Sequence, residues 1–189
     1  MKKRVCKGEY GYIAYQKRIS VIRTLLFFAI SLAIYGIGIY STGSNQNLLT
    51  IVAVLGCLPA CKSAVNMIMF FKAEGCSSTT WDQVSPFDDR LTHFYDMYFT
   101  SYRENFSVSH MVLKGNVICA YTENPKCDCR AGEKHLEQML LQDGYKNMTV
   151  KIFNNQEKYI DRLSQLSDLH VESNKNEADL IRMLYSISL

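Results

Sequence analysis

The stretch TLLFFAISLAIYGIGIYSTGSNQNLLTIVAVLGCLPACKSAVNMIMFF, Thr24 to Phe71, decides the architecture. Its first 17 residues, Thr24 to Tyr40, carry no charge. They make about 25 Å of helix at about 1.5 Å per residue, the lower limit for crossing a bilayer core about 30 Å thick. Arg23 extends that reach, its apolar stem lying along the core while the guanidinium rises to the headgroups. The segment STGSNQN that follows is short, polar and uncharged, as a tight turn requires. From Leu48 to Phe71 the chain is apolar again, interrupted only by Lys62. Two apolar helices joined by so short a turn run antiparallel. A cleaved signal peptide has a shorter apolar segment and no second one close behind it.

Charge says which way the hairpin points. Residues 1–23 hold Lys2, Lys3, Arg4, Lys7, Lys17, Arg18 and Arg23 against Glu9 alone, a balance of +6, whereas the chain from Lys72 onward has a balance of −4. A nucleic-acid surface needs its cations on the folded domain, and here they flank a membrane helix, so no nucleic-acid partner is expected. By the positive-inside rule the N-terminus is cytoplasmic, and two crossings return the C-terminus to the same side. Tyr40 at the outer end and Tyr10, Tyr12 and Tyr15 before the inner end suit the interfacial aromatic belts. The reading is thus a multi-pass protein of the cell membrane, with segments 1–23 (basic), 24–42 and 48–71 (spans), 72–85 (linker) and 86–189 (cytoplasmic domain). Five of the seven cysteines then lie on that reducing side and Cys57 and Cys61 within the membrane, and with no regular disulfide spacing free thiols are expected.

Inside the hairpin, Lys62 lies 14 residues beyond Leu48, about 21 Å along the helix, from where its stem reaches the inner headgroups. Pro59, Ser63 and Asn66 share one face of the second helix, and Ser31, Tyr35 and Gly38 one face of the first. Small and polar residues on facing stripes make a packed seam in lipid. The sharper alternative is an oligomeric channel-like assembly lined by Ser31, Tyr35, Lys62 and Asn66.

The remainder reads as an α+β domain of order α-β-β-α-β-α-α. Ser85-Pro86 followed by Asp88 and Asp89 is a helix start, and Phe87, Leu91, Phe94, Tyr98 and Tyr102 then recur at helical spacing, predicting a helix over 86–105. VSHMVL and VICAYT around Lys114-Gly115-Asn116 predict a hairpin. A helix over 133–142, a strand over 148–153, a helix over 156–169 and a last helix from Asn176 complete a three-stranded mixed sheet with helices.

Two constellations carry possible chemistry. Cys127, Cys129 and His135 are the candidate zinc ligands, with Cys76, Cys119 or His110 needed to complete four. Their spacing is not that of a zinc ribbon or finger, so the expectation is cysteines in a loop and no bound cofactor. Arg103 and His110 are the candidate catalytic pair. They resemble the R-x(4–6)-H spacing of the HEPN ribonucleases over eight residues only, in a β-prone run where that family has a helix end. No phosphate loop, dinucleotide fingerprint, nucleophile elbow or H-E-x-x-H occurs.

Beyond single motifs, Lys7 to Ile13 (KGEYGYI), Thr42 to Phe70 and the acidic domain behind them resemble a family of uncharacterised two-span membrane proteins from Gram-positive gut anaerobes. Members of similar sequence are sometimes labelled as resembling an O-linked GlcNAc transferase, an enzyme whose nucleotide-sugar fold is several times larger than this domain. The resemblance therefore implies location and architecture and transfers no catalytic residue. The leading expectation is a membrane-anchored scaffold, in contact with the lipid bilayer and with a protein partner or a second copy. A membrane-tethered hydrolase or nuclease is the alternative.

Overall fold

The computed structural model describes residues 4–44, 47–87, 91–102, 104–169 and 177–189. They form a membrane α-helical hairpin and an α+β domain. The hairpin unit is Ile13–Ala73, and the other unit joins the residues up to Tyr12 to Glu74–Leu189.

The hairpin consists of α1 (Tyr12–Thr42) and α2 (Leu48–Lys72), and α1 begins well before the apolar stretch that marks it in the sequence. Ser20, Thr24, Ser31 and Gly38 are buried on α1, and Ala53, Ala60, Ser63 and Phe70 on α2. Steps of seven dominate both stripes, the repeat of helices packed in a shallow left-handed crossing. Small side chains let the backbones approach. A Cβ on Gly56 would lie 2.9 Å from the Ser31 hydroxyl, so this position has room for a hydrogen only. Seven residues away along each helix, Thr24 and Ser63 share a buried hydroxyl–hydroxyl bond of 2.8 Å.

In the domain, α3 (Ser78–Val84), capped by Ser77, and a 3-10 turn (Ser85–Phe87) precede β1 (Thr92–Thr100), β2 (Asn105–Lys114) and β3 (Val117–Tyr121). Then come α4 (Cys129–Gln142), β4 (Thr149–Phe153), α5 (Gln156–Asp168) and α6 (Glu177–Ile187). The sheet has the order β1-β2-β3-β4, antiparallel except for the β3–β4 pair, which α4 connects. Leu136 and Leu140 of α4 and Leu180 and Leu184 of α6 pack on one face. Tyr159, Leu163 and Leu166 of α5, with Val84 of α3, pack on the other.

The helix expected over 86–105 is instead a turn and a strand, and the sheet has four strands rather than three. The acids Asp88 and Asp89 of the expected helix start, and Asn176, lie outside the described residues. Two features hide the strand. Residues 94–99 are all buried because both sheet faces are covered, which erases the alternation of a half-exposed strand. The alternation also changes phase. Asp96 has φ 55°, in the left-handed region that non-glycine residues seldom occupy. Phe94 before it and Met97 and Phe99 after it therefore face the same core layer. On β2, Phe106 and Val108, then Met111 and Leu113, show the same shift across Ser109. The pairs Tyr95–His110 and Met97–Val108 flank the break, so both strands change phase at one level and the register holds.

Backbone groups on both sheet edges are engaged. Along β1, the Tyr95 amide donates to the Gly8 carbonyl at 2.8 Å and the Leu189 amide to the Tyr98 carbonyl at 2.8 Å. Along β4, the Ile152 amide donates to the Glu133 carboxylate at 3.0 Å and the Val150 amide to Glu137 at 3.5 Å. Edges whose amides are already paired do not recruit a foreign strand.

Candidate functional site

The phase change at Asp96 leaves His93 and Tyr95 of β1 and His110 of β2 on the α5 face, where Tyr159 projects from the second turn of α5. The four rings pack around His110: His93 stacks on it at 5.0 Å between centroids, Tyr95 lies tilted at 4.6 Å, and Tyr159 meets it edge-on at 5.7 Å. Tyr121 lies nearly parallel to Tyr159 at 5.3 Å.

A hydrogen-bonded chain runs through them. His93 Nε2 lies 3.0 Å from the Phe87 carbonyl, His93 Nδ1 2.8 Å from His110 Nε2, and His110 Nδ1 2.7 Å from the Tyr159 hydroxyl. A carbonyl only accepts, so His93 carries its proton on Nε2. With both rings neutral, His110 donates from Nε2 to His93 Nδ1 and accepts at Nδ1 from Tyr159. Burial first, and the neighbouring His93 second, hold His110 well below the usual imidazole value. Burial, then Cys119, Tyr95 and Cys76, push the Tyr159 phenol well above its usual value. The cluster is a fully engaged polar network within an apolar layer, in which each donor has an acceptor. His110 has no exposed surface, so it presents no nitrogen to a substrate in solution.

Next to this network the chain leaving α2 is pinned to the sheet. Asp96 is buried, and its carboxylate accepts from the Cys76 amide at 2.6 Å. Glu123 accepts from the Ser77 amide at 3.0 Å, and the Ser107 hydroxyl accepts from the Glu74 amide at 2.9 Å. Burial, then Glu123 and Asp96, push the Cys76 thiol up to about 12. It stays protonated at neutral pH and is a poor nucleophile.

Of the residues singled out in the sequence, Arg103 lies outside the described residues, and His110 belongs to the buried network. Cys127 and Cys129 sit at the start of α4, the Cys129 thiol 3.8 Å from the Cys127 carbonyl. Burial, followed by Cys129, raises the Cys127 thiol to about 11. His135 stacks on Phe106 at 5.9 Å and lines a groove of about 380 Å³ with Glu104, Asp128 and Lys134. Among the described residues no three His, Cys, Asp or Glu side chains converge as a metal site. In the hairpin, Ser31, Gly38 and Ser63 are buried between the helices, Asn66 is half-buried, and Tyr35, Pro59 and Lys62 are exposed. His93 and Tyr159 were not singled out. His93 lies in the run whose spacing reads as a helix, and Tyr159 reads as part of the apolar stripe of α5, so their meeting at His110 needs the strand at 92–100 to be recognised.

Among the described residues, the domain surface carries an aromatic pair that its core does not absorb. Tyr10 and Trp81 lie tilted against each other with centroids 5.4 Å apart, and each is 38% exposed. Tyr10 also meets Tyr95 edge-on at 6.4 Å. Burial, then Cys76, Asp96, Asp82 and Glu123, raise its phenol, which places acidic groups around the pair. Tyr10 is held there by the turn before it. Gly8 has φ 85°, and a Cβ on it would lie 2.6 Å from the Tyr185 hydroxyl. Lys7 donates to the Tyr185 and Ser188 carbonyls at 2.7 and 2.6 Å.

The chain matches no family model, no curated protein and no solved structure.

Proposed function

We propose that this chain is a membrane-anchored interaction protein whose α+β domain docks a protein partner, on the cytoplasmic side, through the Tyr10–Trp81 face. The half-exposed aromatic pair carries the reading. Rigid aromatic side chains at a surface are the usual anchors of protein recognition, and this pair is fixed by the Gly8 turn and by Tyr95 beneath it. The exposed Asp82 and the half-buried Glu123 beside it favour a partner that presents a lysine or arginine over the rings. The sealed histidine network supports a binding role over a catalytic one. The paired sheet edges argue that the partner meets side chains and adds no strand. The basic excess before Arg23 supports the cytoplasmic orientation.

A photo-crosslinking amino acid placed at Trp81 in the full chain, in native membranes, tests this, with the exposed Lys158 as the control position. Discrete adducts are expected from position 81, reduced by Asp82→Lys, and none from 158. An adduct of twice the chain's own mass would identify the partner as a second copy. No adduct from 81, or equal labelling from both positions, would refute the docking face.

A further inference from the structure

Arg23 of α1 and Lys62 of α2 line a single recess of about 220 Å³, together with Phe27, Pro59, Ser63 and Asn66. Both cations are exposed on the hairpin, and between Glu9 and Glu74 the chain has no acidic residue. The hairpin therefore holds two positive charges at one site and supplies no carboxylate to balance them.

The other polar groups are donors as well. Asn66 offers an amide NH2. Ser63, whose hydroxyl bonds that of Thr24 at 2.8 Å, adds a hydroxyl to the same lining. Guanidinium, ammonium and amide around a small recess are the donor set for phosphate oxygens.

Depth fits the same ligand. Gly38 of α1 lies level with Leu49 of α2, where a Cβ on the glycine would be 3.0 Å from the leucine Cβ. From that level the Thr24–Ser63 pair is 14 residues away along either helix, about 21 Å. In a core about 30 Å thick this places the recess within side-chain reach of the inner headgroup boundary.

We propose that this recess binds the phosphate of an anionic phospholipid. Arg23 and Lys62 hold the phosphate oxygens, and Phe27 and Pro59 line the start of the glycerol and acyl portion. Bound in this way, the lipid supplies the negative charge that the hairpin lacks. The site rests on the hairpin lying in a membrane, and carbonate extraction of native membranes reports on that separately.

The experiment is lipid retention by the purified full chain in mild detergent, read by native mass spectrometry, with phosphatidylglycerol, phosphatidylcholine and inorganic phosphate offered in turn. Phosphatidylglycerol is expected to stay bound in preference to phosphatidylcholine. Arg23→Gln and Lys62→Gln are each expected to lower its retention about fivefold, as the attraction of one cation to an anionic lipid implies. Arg18→Gln, an exposed cation that does not line the recess, should leave retention unchanged. Equal retention of both lipids, or an equal loss in Arg18→Gln, would overturn the site. Displacement of the lipid by millimolar inorganic phosphate would show that a free anion is the ligand and overturn the lipid assignment. A photoreactive phosphatidylglycerol crosslinked to the unmodified protein gives a second readout that needs no variant. Adducts should concentrate on the peptides holding Phe27 and Pro59, and an even spread along the hairpin would refute the proposal.

Discussion

His110 shows how one side chain takes its meaning from its neighbours. In the sequence it stands beside Arg103 as half of a possible catalytic pair. In the fold both its ring nitrogens are engaged, by His93 and Tyr159, in an apolar layer. The network has a consequence for pH. The folded value of His110 is lowered, so as pH falls below about 6.5 the unfolded chain takes up a proton that the folded chain refuses. The stability contributed by neutral His110 is thus complete above that value and is lost as pH falls toward the lower folded value. The limiting slope for one proton is about 1.4 kcal/mol per pH unit. Around the ring stand His93 and Tyr95 of β1, Tyr159 of α5, and Cys119 of β3. Cys119 is raised by burial and partly relieved by Arg162. Thermal unfolding of the full chain in mild detergent should therefore lose stability between pH 6.5 and 5, with a slope approaching one proton. His110→Gln, which keeps one donor and one acceptor, should flatten that dependence while lowering stability at pH 7.5. An unchanged slope in the variant would show that another group sets it.

Elements were legible where one rule acted alone. The two spans announce themselves by length and apolarity, and α5 by Tyr159, Leu163 and Leu166 on one stripe. The hairpin around Gly115 and the strand at 149–153 follow from alternation and turn residues. Strand β1 was not legible, because the left-handed Asp96 resets the alternation and the spacing of its apolar residues then mimics a helix. The pairing of Glu133 and Glu137 with the β4 amides, and of Gly8 with β1, was likewise invisible. Each joins residues whose proximity exists only after the sheet forms. If the break in β1 is set by Asp96, the type of residue there should matter more than its charge. Asp96→Asn keeps an acceptor for the Cys76 amide and a side chain that tolerates the left-handed region, so its cost should stay below about 1 kcal/mol. Asp96→Val puts a β-branched residue at positive φ and removes the acceptor, for a loss of about 2 to 4 kcal/mol. Thermal unfolding of the two variants side by side decides it, and equal losses would show that the conformation at 96 is incidental.

At the scale of the whole molecule, the decisive fact is that the chain completes its domain from both sides of the hairpin. The segment before α1 supplies three things to residues 74–189. The Gly8 carbonyl meets β1, the Lys7 ammonium meets the end of α6, and the Tyr10 ring covers Trp81. The residues before α1 and after α2 thus build one unit, and the hairpin is inserted between its two parts in the chain. It follows that the domain is incomplete when cut out by sequence boundaries alone. A fragment beginning at Asp82 removes the first half of α3, including the buried Thr80, together with the anchoring of Cys76 and Ser77. A fragment beginning at Glu74 restores those but leaves the β1 edge amide of Tyr95 and the carbonyls at the end of α6 without their partners. A third form, with residues 4–12 joined to 74–189 by a flexible Gly/Ser linker in place of the hairpin, keeps all of them. Net hydrogen bonds of about 1 kcal/mol each, and up to about 3 kcal/mol for those made by a charged group, make the latch worth about 3 kcal/mol or more. The order of stability in urea should be the linked form, then the Glu74 fragment, then the Asp82 fragment. Lys7→Met in the linked form should fall between the first two. A Glu74 fragment as stable as the linked form would mean that the N-terminal segment merely rests on the domain and plays no part in holding it together.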